Sequence, residues 1–334
     1  MFYPEYMENT STMKGTSMPI TSSFGARSTA LEVVSGHDLS GKTVLLTGAN
    51  SGIGFETARA LLWAHAEVIM AVRDITKGES AAKALQAANP ETQIHILVLN
   101  LGSLASVHQA AEQFLARWTK LDLLINNAGI MATPLGYTID GFEQQFATNY
   151  LGHYLLTRLL LPALQKAAPA RIVSLTSRAH QFSDIHFDDI QYHHRPYEKW
   201  EAYGQSKTAD ALLAVALTHH FGSQGITANA VSPGSIRTGL QQHLTDEEMH
   251  ALGWYDEAGN LISLFKTPEQ GASTTVWASV GRELEGIGGL YLADCNEALP
   301  LEPGTQDNKG YLPYALNPDH AEHLWTLSQN LVER

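Results

Sequence analysis

Short runs of consecutive hydrophobic residues alternate along the chain with stretches in which apolar positions recur every three or four residues. From about residue 39 onward, these runs predict seven strands: TVLLT, EVIMAV, IHILVL, LDLLIN, RIVSLT, ITANAV and GGLYLA. They are almost continuously apolar, which is typical of parallel strands covered by helices on both faces. The pattern therefore predicts an α/β fold, a doubly wound parallel sheet flanked by helices.

The stretches between the strands predict amphipathic helices. The interpretation is clearest for Thr57 to Trp63, Lys77 to Ala88, Leu104 to Trp118 and Phe142 to Leu161. A further helical stretch is expected to end near His219 and His220. No repeat, heptad run or low-complexity linker divides the chain, so residues 36–334 are expected to form one domain. Residues 1–35 are rich in Ser, Thr and Met without periodicity, which predicts a flexible N-terminal extension that clasps the domain near FGARSTALEVV.

Charge and composition exclude several classes of protein. The net charge is -13, and an acidic surface repels phosphate backbones, so nucleic acid is not an expected partner. A single cysteine, Cys295, excludes an internal disulfide framework. We see neither a secretory signal nor a membrane span, since the longest candidate, LLTRLLLPAL, is interrupted by Arg158 and Pro162. A cytoplasmic protein is therefore expected.

The 15 histidines include several close pairs that raise the question of a metal site. Adjacent histidines rarely point the same way on a helix, and no carboxylate or thiol set completes a coordination sphere. No metal site is predicted at the pairs His193–His194, His219–His220, and His180 with His186.

A glycine-rich turn lies directly between the first strand and the first helix. Gly48 allows a sharp turn, Gly52 allows backbone amides to approach a pyrophosphate, and Gly54 allows close packing of helix on sheet. The amino terminus of the helix adds free N–H groups and partial positive charge. A tight structural turn would also need glycines, but the position inside a βαβ unit favours a dinucleotide site. We expect further contacts from Asn50, Ser51 and Ile53.

The end of the second strand bears on the choice of cofactor. NAD sites place an acid there for the ribose hydroxyls, whereas NADP sites offer a cation to the extra phosphate. Val72 stands where the acid is expected, and Arg73 follows. A guanidinium suits a phosphate dianion, so NADP is favoured. Two alternatives stay open: Arg73 pairs with Asp74 at the surface, or Asp74 is itself the acid of an NAD site.

Tyr203 and Lys207 lie four residues apart on one face of a predicted helix. A free tyrosine has a pKa of about 10, and a neighbouring ammonium is expected to lower it. Ser177 follows the fifth strand, where its hydroxyl can hold a substrate oxygen while Tyr203 passes the proton. Asn149 is expected to anchor a water that relays protons from Lys207. Each residue alone has an ordinary structural explanation, but together they predict an active site.

The set TGANSGIG, NNAG, Asn149, Ser177, Tyr203 with Lys207, and Pro233-Gly234 with Thr238 resembles the short-chain dehydrogenase/reductase family, which has a Rossmann fold. The pattern covers residues 39 to about 295. Within the family, the segments ANSGIGFETA and APARIVSLTSRAH are most similar to retinol dehydrogenases and to the reductase domain of the WW-domain-containing oxidoreductase.

This resemblance implies an Asn149–Ser177–Tyr203–Lys207 tetrad and hydride transfer at the nicotinamide. It implies that NNAG braces the sheet beside the adenosine ribose and that a dimer or tetramer forms. Asn100 stands where the family usually has an aspartate against the adenine. Besides the glycine turn, Arg73, Tyr203 and Lys207, the implied cofactor contacts are Asn100, Leu101, Asn127, Pro233, Ile236 and Thr238.

Two segments, near residues 178–202 and 239–266, are expected to overhang the nicotinamide as substrate lids. Their aromatic content predicts a fairly bulky, mostly apolar ketone, aldehyde or alcohol as the substrate. Alternative functions stay open: a reductase of activated C=C bonds, a cofactor-binding regulator without turnover, and a lyase or epimerase that uses the bound cofactor transiently. The complete tetrad argues against the regulator.

Overall fold

The computed structural model describes residues 18–302, 304–305 and 309–333. The strands are β1 (Thr43–Thr47), β2 (Glu67–Val72), β3 (Gln93–Val98), β4 (Leu123–Asn126), β5 (Ala170–Leu175), β6 (Ile226–Ser232), β7 (Ser235–Ile236), β8 (Phe265–Lys266), β9 (Tyr291–Ala293) and β10 (Asn296–Glu297). Eight of them form one sheet in the order β10-β9-β6-β5-β4-β1-β2-β3, parallel except for the β9–β10 pair. The predicted doubly wound sheet is thus confirmed. The short antiparallel edge and the separate β7–β8 pair were not predicted.

Helices cover both faces of the sheet. They are α1 (Ala30–Val34), α2 (Gly52–Trp63), α3 (Ile75–Ala88), α4 (Leu104–Arg117), α5 (Gln144–Phe146), α6 (Gly152–Ala167), α7 (Lys199–Phe221), α8 (Asp246–Ala251), α9 (Pro268–Gly271), α10 (Ser273–Val280) and α11 (Pro318–Val332). None of the helices in the described ranges has both the length and the apolar character needed to cross a bilayer.

The strands are apolar at successive positions because both faces of the sheet are buried. Along β1, Val44 and Leu46 pack into one hydrophobic cluster, and Leu45 packs into the cluster on the opposite face. All three side chains are fully buried. Successive side chains point to opposite faces of a strand, so this run requires helices above and below.

The helix predicted from Phe142 to Leu161 is interrupted in the structure. A single π-helical turn, Ala147–Leu151, separates α5 from α6. Such a turn holds one extra residue, which the hydrophobic pattern cannot reveal because the apolar positions continue through it. Gly152, at the start of α6, packs so closely that a Cβ there would lie 2.3 Å from the Leu101 carbonyl oxygen.

The N-terminal segment packs on the domain where it is described. Residues 1–17 of the predicted flexible extension lie outside the described residues. The Ile20 amide donates to Glu297 Oε2 at 2.8 Å, and the Ser22 hydroxyl donates to the Cys295 carbonyl oxygen at 2.7 Å. Helix α1 follows and buries Val33 and Val34. These contacts join residues distant in sequence, so local composition does not identify the partners.

Candidate active site

A cavity of about 1190 Å³ opens at the carboxyl edge of the parallel sheet. Thr47, Asn127 and Ser177, which lie at or just after the ends of β1, β4 and β5, line it. Strand order reverses between β1 and β4, and sheets of this class bind ligands at such a switch point. The cavity is lined by all of the predicted site residues except Asn149.

The glycine turn forms one wall of this cavity, and its glycines are required by geometry. Gly48 has φ +68° and Gly52 has φ +55°, values that other residues rarely adopt. A Cβ on Gly54 would lie 2.2 Å from the Gly48 carbonyl oxygen, and one on Gly52 would lie 3.1 Å from Thr238 Cγ2. Helix α2 begins here without a side-chain hydrogen bond from its N-cap Ser51. The turn thus offers uncapped N–H groups to an anion.

Asn127 braces this wall through β1. Its Nδ2 donates to the Thr47 carbonyl oxygen at 2.7 Å, and its backbone N–H donates to Thr47 Oγ1 at 2.9 Å. The NNAG segment therefore fixes the glycine turn relative to β4.

Two cations line the other end of the cavity, where β2 ends. Arg73 is exposed, and Lys77 lies one turn into α3. The Asp74 carboxylate is engaged as the N-cap of α3, accepting from the Lys77 backbone N–H at 3.1 Å. Asn100 Oδ1 accepts from the Gly102 N–H at 3.1 Å. The positive charge of the two cations therefore faces whatever occupies this end.

Ser177, Tyr203 and Lys207 come together in the middle of the cavity. Tyr203 and Lys207 lie one turn apart on α7, with Lys207 Nζ 5.8 Å from the centre of the Tyr203 ring. The Ser177 hydroxyl is near enough to the Tyr203 phenol to act on it, lowering the pKa of Tyr203. The arrangement places a hydroxyl, a phenol and an ammonium around one point.

The expectation that Lys207 lowers the pKa of Tyr203 is only partly met. Burial raises the pKa of Tyr203, and this effect exceeds the lowering by the Lys207 charge and by the Ser177 hydroxyl. The carboxylate of Asp210 raises the pKa further. The net direction is upward, so Tyr203 is a protonated phenol near neutral pH.

Lys207 is buried and held by two acceptors. Its Nζ donates to the Leu175 carbonyl oxygen at 2.9 Å and to Asp210 Oδ2 at 2.8 Å. Burial lowers the pKa of Lys207, but Asp210 and Tyr203 outweigh that effect and the net pKa is raised. Lys207 is therefore an ammonium.

Asn149 lies in the π turn, fully buried and behind the cavity wall. Its Oδ1 accepts from the Ile130 N–H at 2.8 Å, and its Nδ2 donates to the Ile130 carbonyl oxygen and to Ser206 Oγ, both at 2.9 Å. These bonds tie the loop after β4 to α7. The role of Asn149 as a water anchor stays a prediction.

His153 connects this turn to the glycine wall. Burial lowers the pKa of His153 to about 3, so the ring is neutral. Its Nδ1 lies 2.6 Å from the Asn149 carbonyl oxygen and its Nε2 lies 2.8 Å from Thr47 Oγ1. In a neutral ring, Nδ1 must then donate a hydrogen bond to the Asn149 carbonyl oxygen, and Nε2 must accept a hydrogen bond from the Thr47 hydroxyl.

The remaining wall, beside Ser177 and Tyr203, comes largely from the two predicted lid segments and combines a cluster of apolar side chains with polar ones such as Gln181, Glu198 and Gln241. The Lys199–Glu248 ion pair joins one lid segment to the other. The cavity residues on this side include Met131, Phe182, Trp200, Leu240, Leu252 and Trp254.

Sequence reasoning missed four residues of this region, although two carried a signal. Asp210 follows Lys207 by three residues and His153 follows Asn149 by four, so each shares a helix face with a predicted catalytic residue. Lys77 and Met131 carried no comparable signal. Among the described residues, no group of three or more His, Cys, Asp or Glu side chains is arranged to hold a metal ion.

Comparisons with known proteins agree with this geometry. A family model described as short chain dehydrogenase matches residues 42–249. The short-chain dehydrogenase/reductase prx1 of Penicillium roqueforti is 40% identical over 92% of this chain and 91% of its own length. Human retinol dehydrogenase 14 is 39% identical over 87% of this chain and 86% of its own length. The RhlG/NADP active-site complex from Pseudomonas aeruginosa is 25% identical, covers 77% of this chain and 95% of its own, and superposes with a TM-score of 0.59.

Proposed function

The chain belongs to the short-chain dehydrogenase family and is an oxidoreductase that acts on an alcohol or a carbonyl group, and from that premise we propose that it uses NADP to convert a fairly bulky, mostly apolar substrate. The observation that carries the proposal is the meeting of Ser177, Tyr203 and Lys207 in a cavity whose opposite wall is the glycine turn.

The residues present fit a nicotinamide dinucleotide. The close approach of Gly54 to Gly48 and the uncapped start of α2 suit a pyrophosphate. When bound, the nicotinamide supplies a hydride to a carbonyl carbon or accepts one from an alcohol carbon. The nucleotide would be held by the glycine turn, Arg73, Asn100, Leu101, Asn127, Lys207, Pro233, Ile236 and Thr238.

The chain's own residues orient the substrate and move one proton. In the reductive direction, Tyr203 gives its phenolic proton to the carbonyl oxygen, and that oxygen becomes the hydroxyl of the alcohol. The Ser177 hydroxyl holds the same oxygen within reach of Tyr203. Lys207 stays an ammonium throughout and stabilises the phenolate that remains. Oxidation of an alcohol uses the same groups in reverse.

The apolar cluster in the wall beside Tyr203 supports the substrate class. Phe182, Trp200 and Trp254 present large aromatic surfaces beside the Tyr203 phenol, and such surfaces contribute most of the binding energy of an apolar ligand. We expect activity on ketones, aldehydes or alcohols with a ring or a long chain, and little activity on two- or three-carbon substrates.

A substrate screen tests this function. The protein is mixed with NADPH and carbonyls of increasing size, and with NADP and the matching alcohols, while nucleotide absorbance is followed. We expect kcat/KM to rise with apolar size. A protein that consumes no nucleotide with any carbonyl or alcohol would contradict the proposed activity.

The preference for NADP is proposed on the charge at the end of β2. Arg73 and Lys77 line the cavity there, and Asp74 is occupied as the cap of α3, so cations rather than an acid would face the adenosine ribose of a bound nucleotide. The solved relative from Pseudomonas aeruginosa is described as an NADP complex. This supports the same choice here.

Replacing Arg73 with Ala is expected to weaken NADPH binding by about ten- to a hundredfold, because a charge-assisted pair with phosphate is worth about 1.5–3 kcal/mol. NADH binding should change less than about threefold. Fluorescence titration with both nucleotides measures the ratio. Arg59→Ala is a suitable control, since Arg59 forms an ion pair with Glu56 on α2 and does not line the cavity. Equal affinity of the native protein for NADPH and NADH would overturn the choice.

A further inference from the structure

We propose that Asp210 is a positioning residue that fixes the direction of the Lys207 ammonium and opposes its charge at Tyr203, so that the pH dependence of proton transfer by Tyr203 depends on Asp210. This inference rests on the proposed function. In the reductive direction the carbonyl carbon gains a hydride from the reduced nucleotide and the oxygen gains the Tyr203 proton.

Asp210 is a buried acid in the middle of a long helix. It lies in the interior of the 23-residue helix α7, one turn after Lys207, and is 2% exposed. A carboxylate in such a place needs a charged or hydrogen-bonded partner, because burial without one is costly. Its partner is the Lys207 ammonium at 2.8 Å. The pair is therefore a fixed part of the site.

The hydrogen bonds of Lys207 limit where its ammonium can point. An ammonium has three N–H donors. The Leu175 carbonyl oxygen accepts one and the Asp210 carboxylate accepts another. One donor is left for the cavity, and these two acceptors fix its direction. Asp210 thus determines where Lys207 can point.

Two charges of opposite sign act on Tyr203. Lys207 and Asp210 are the charged groups that act on its phenol, with opposite signs. The other titratable groups that face the pair or Tyr203 are Tyr150 and His153 from the preceding helical segments and Tyr291 from β9. Burial raises the pKa of both tyrosines and lowers that of His153, so all three are neutral near pH 7. The influence of Lys207 on Tyr203 is therefore opposed by Asp210 alone among these groups.

The sign of the effect follows from the two directions of the reaction. Reduction needs the phenol, so its rate falls as pH rises through the pKa of Tyr203, whereas oxidation needs the phenolate and its rate rises there. Burial raises the pKa of Asp210, and the Lys207 ammonium lowers it. As the carboxylate of the ion pair, Asp210 opposes the charge of Lys207 at the phenol. An asparagine in its place removes that charge and keeps the size of the side chain.

The experiment compares Asp210→Asn with the native protein, using tyrosines labelled with ¹³C at Cζ. The Tyr203 resonance is assigned by its loss in Tyr203→Phe. We expect the pKa of Tyr203 to fall in Asp210→Asn, because the variant removes the negative charge that opposes Lys207. The pH profile of alcohol oxidation should move to lower pH by the same amount.

Asp188→Asn serves as the control, since it makes the same chemical change at an exposed carboxylate. An unchanged Tyr203 pKa in folded Asp210→Asn would overturn the proposal. If that variant does not fold, the same titration is made on Asp210→Ser, which removes the charge with a smaller side chain, and an unchanged Tyr203 pKa there would overturn the proposal. The NMR titration needs no turnover, so an inactive protein would count against the proposed function and leave this test in place.

Discussion

Replacing Tyr203 with Phe should reduce turnover by about a hundred- to ten-thousandfold, the range that general acid–base catalysis contributes. The substitution removes the oxygen that exchanges a proton with the substrate and keeps the ring. That ring is buried and packs edge-on against Trp200 at 6.4 Å between centroids, so the cavity should keep its shape. Nucleotide affinity should change by less than about threefold, because Lys207 and the glycine turn are untouched.

Steady-state kinetics and a nucleotide fluorescence titration separate these two effects. Tyr154→Phe is the matched control, since it removes a hydroxyl from another buried tyrosine that does not line the cavity. The control should keep near-native kcat. Turnover close to native in Tyr203→Phe would show that another group moves the proton.

The central sheet could be predicted because its physical cause is local in sequence. A strand buried on both faces is apolar at successive positions. Val44, Leu45 and Leu46 are such a run, and their side chains pack into the clusters on the two faces. The glycine turn was equally readable, since the positive φ angles of Gly48 and Gly52 restrict the residue type. The position of Arg73 at the cavity could be predicted too, because it follows directly from the end of β2.

The electrostatics of the site could not be predicted in the same way. The lysine four residues after Tyr203 suggested a lowered pKa, but burial of the phenol and the opposing charge of Asp210 reverse the direction. Both effects depend on what packs around α7, which comes from β5, β9 and the segment before α6. The π turn that contains Asn149 could not be predicted from the sequence either, because its apolar positions continue the helical pattern on both sides.

Two buried networks join the predicted catalytic residues to the sheet. One runs from Thr47 through the neutral ring of His153 to the Asn149 carbonyl oxygen. The other runs from Asp210 through Lys207 to the Leu175 carbonyl oxygen at the end of β5. Both are anchored on strands that end at the cavity. The predicted catalytic groups are therefore held by the same sheet edge that carries the glycine turn, and we expect a distortion of that turn to reach them.

Replacing Gly54 with Ala is expected to weaken nucleotide binding by about a hundredfold or more, because the new Cβ meets backbone rather than a flexible side chain. It would lie 2.2 Å from the Gly48 carbonyl oxygen and 2.7 Å from Asn127 Nδ2, so the turn or α2 must move. A displacement of about 1 Å is enough to reduce the performance of a site about a hundredfold. The free energy of unfolding should fall by about 1–3 kcal/mol, as for other overpacked sites.

Nucleotide titration and chemical denaturation measure the two effects of Gly54→Ala separately. Gly25→Ala is the matched control: a Cβ at Gly25 meets nothing within 4 Å and its φ is not positive, so both measurements should stay near native. Because Asn127 links the turn to β4, loss of nucleotide binding in Gly54→Ala should be accompanied by a lower kcat at saturating nucleotide. Native affinity in this variant would mean that the turn does not bind the pyrophosphate, and the assignment of the whole wall would have to be abandoned.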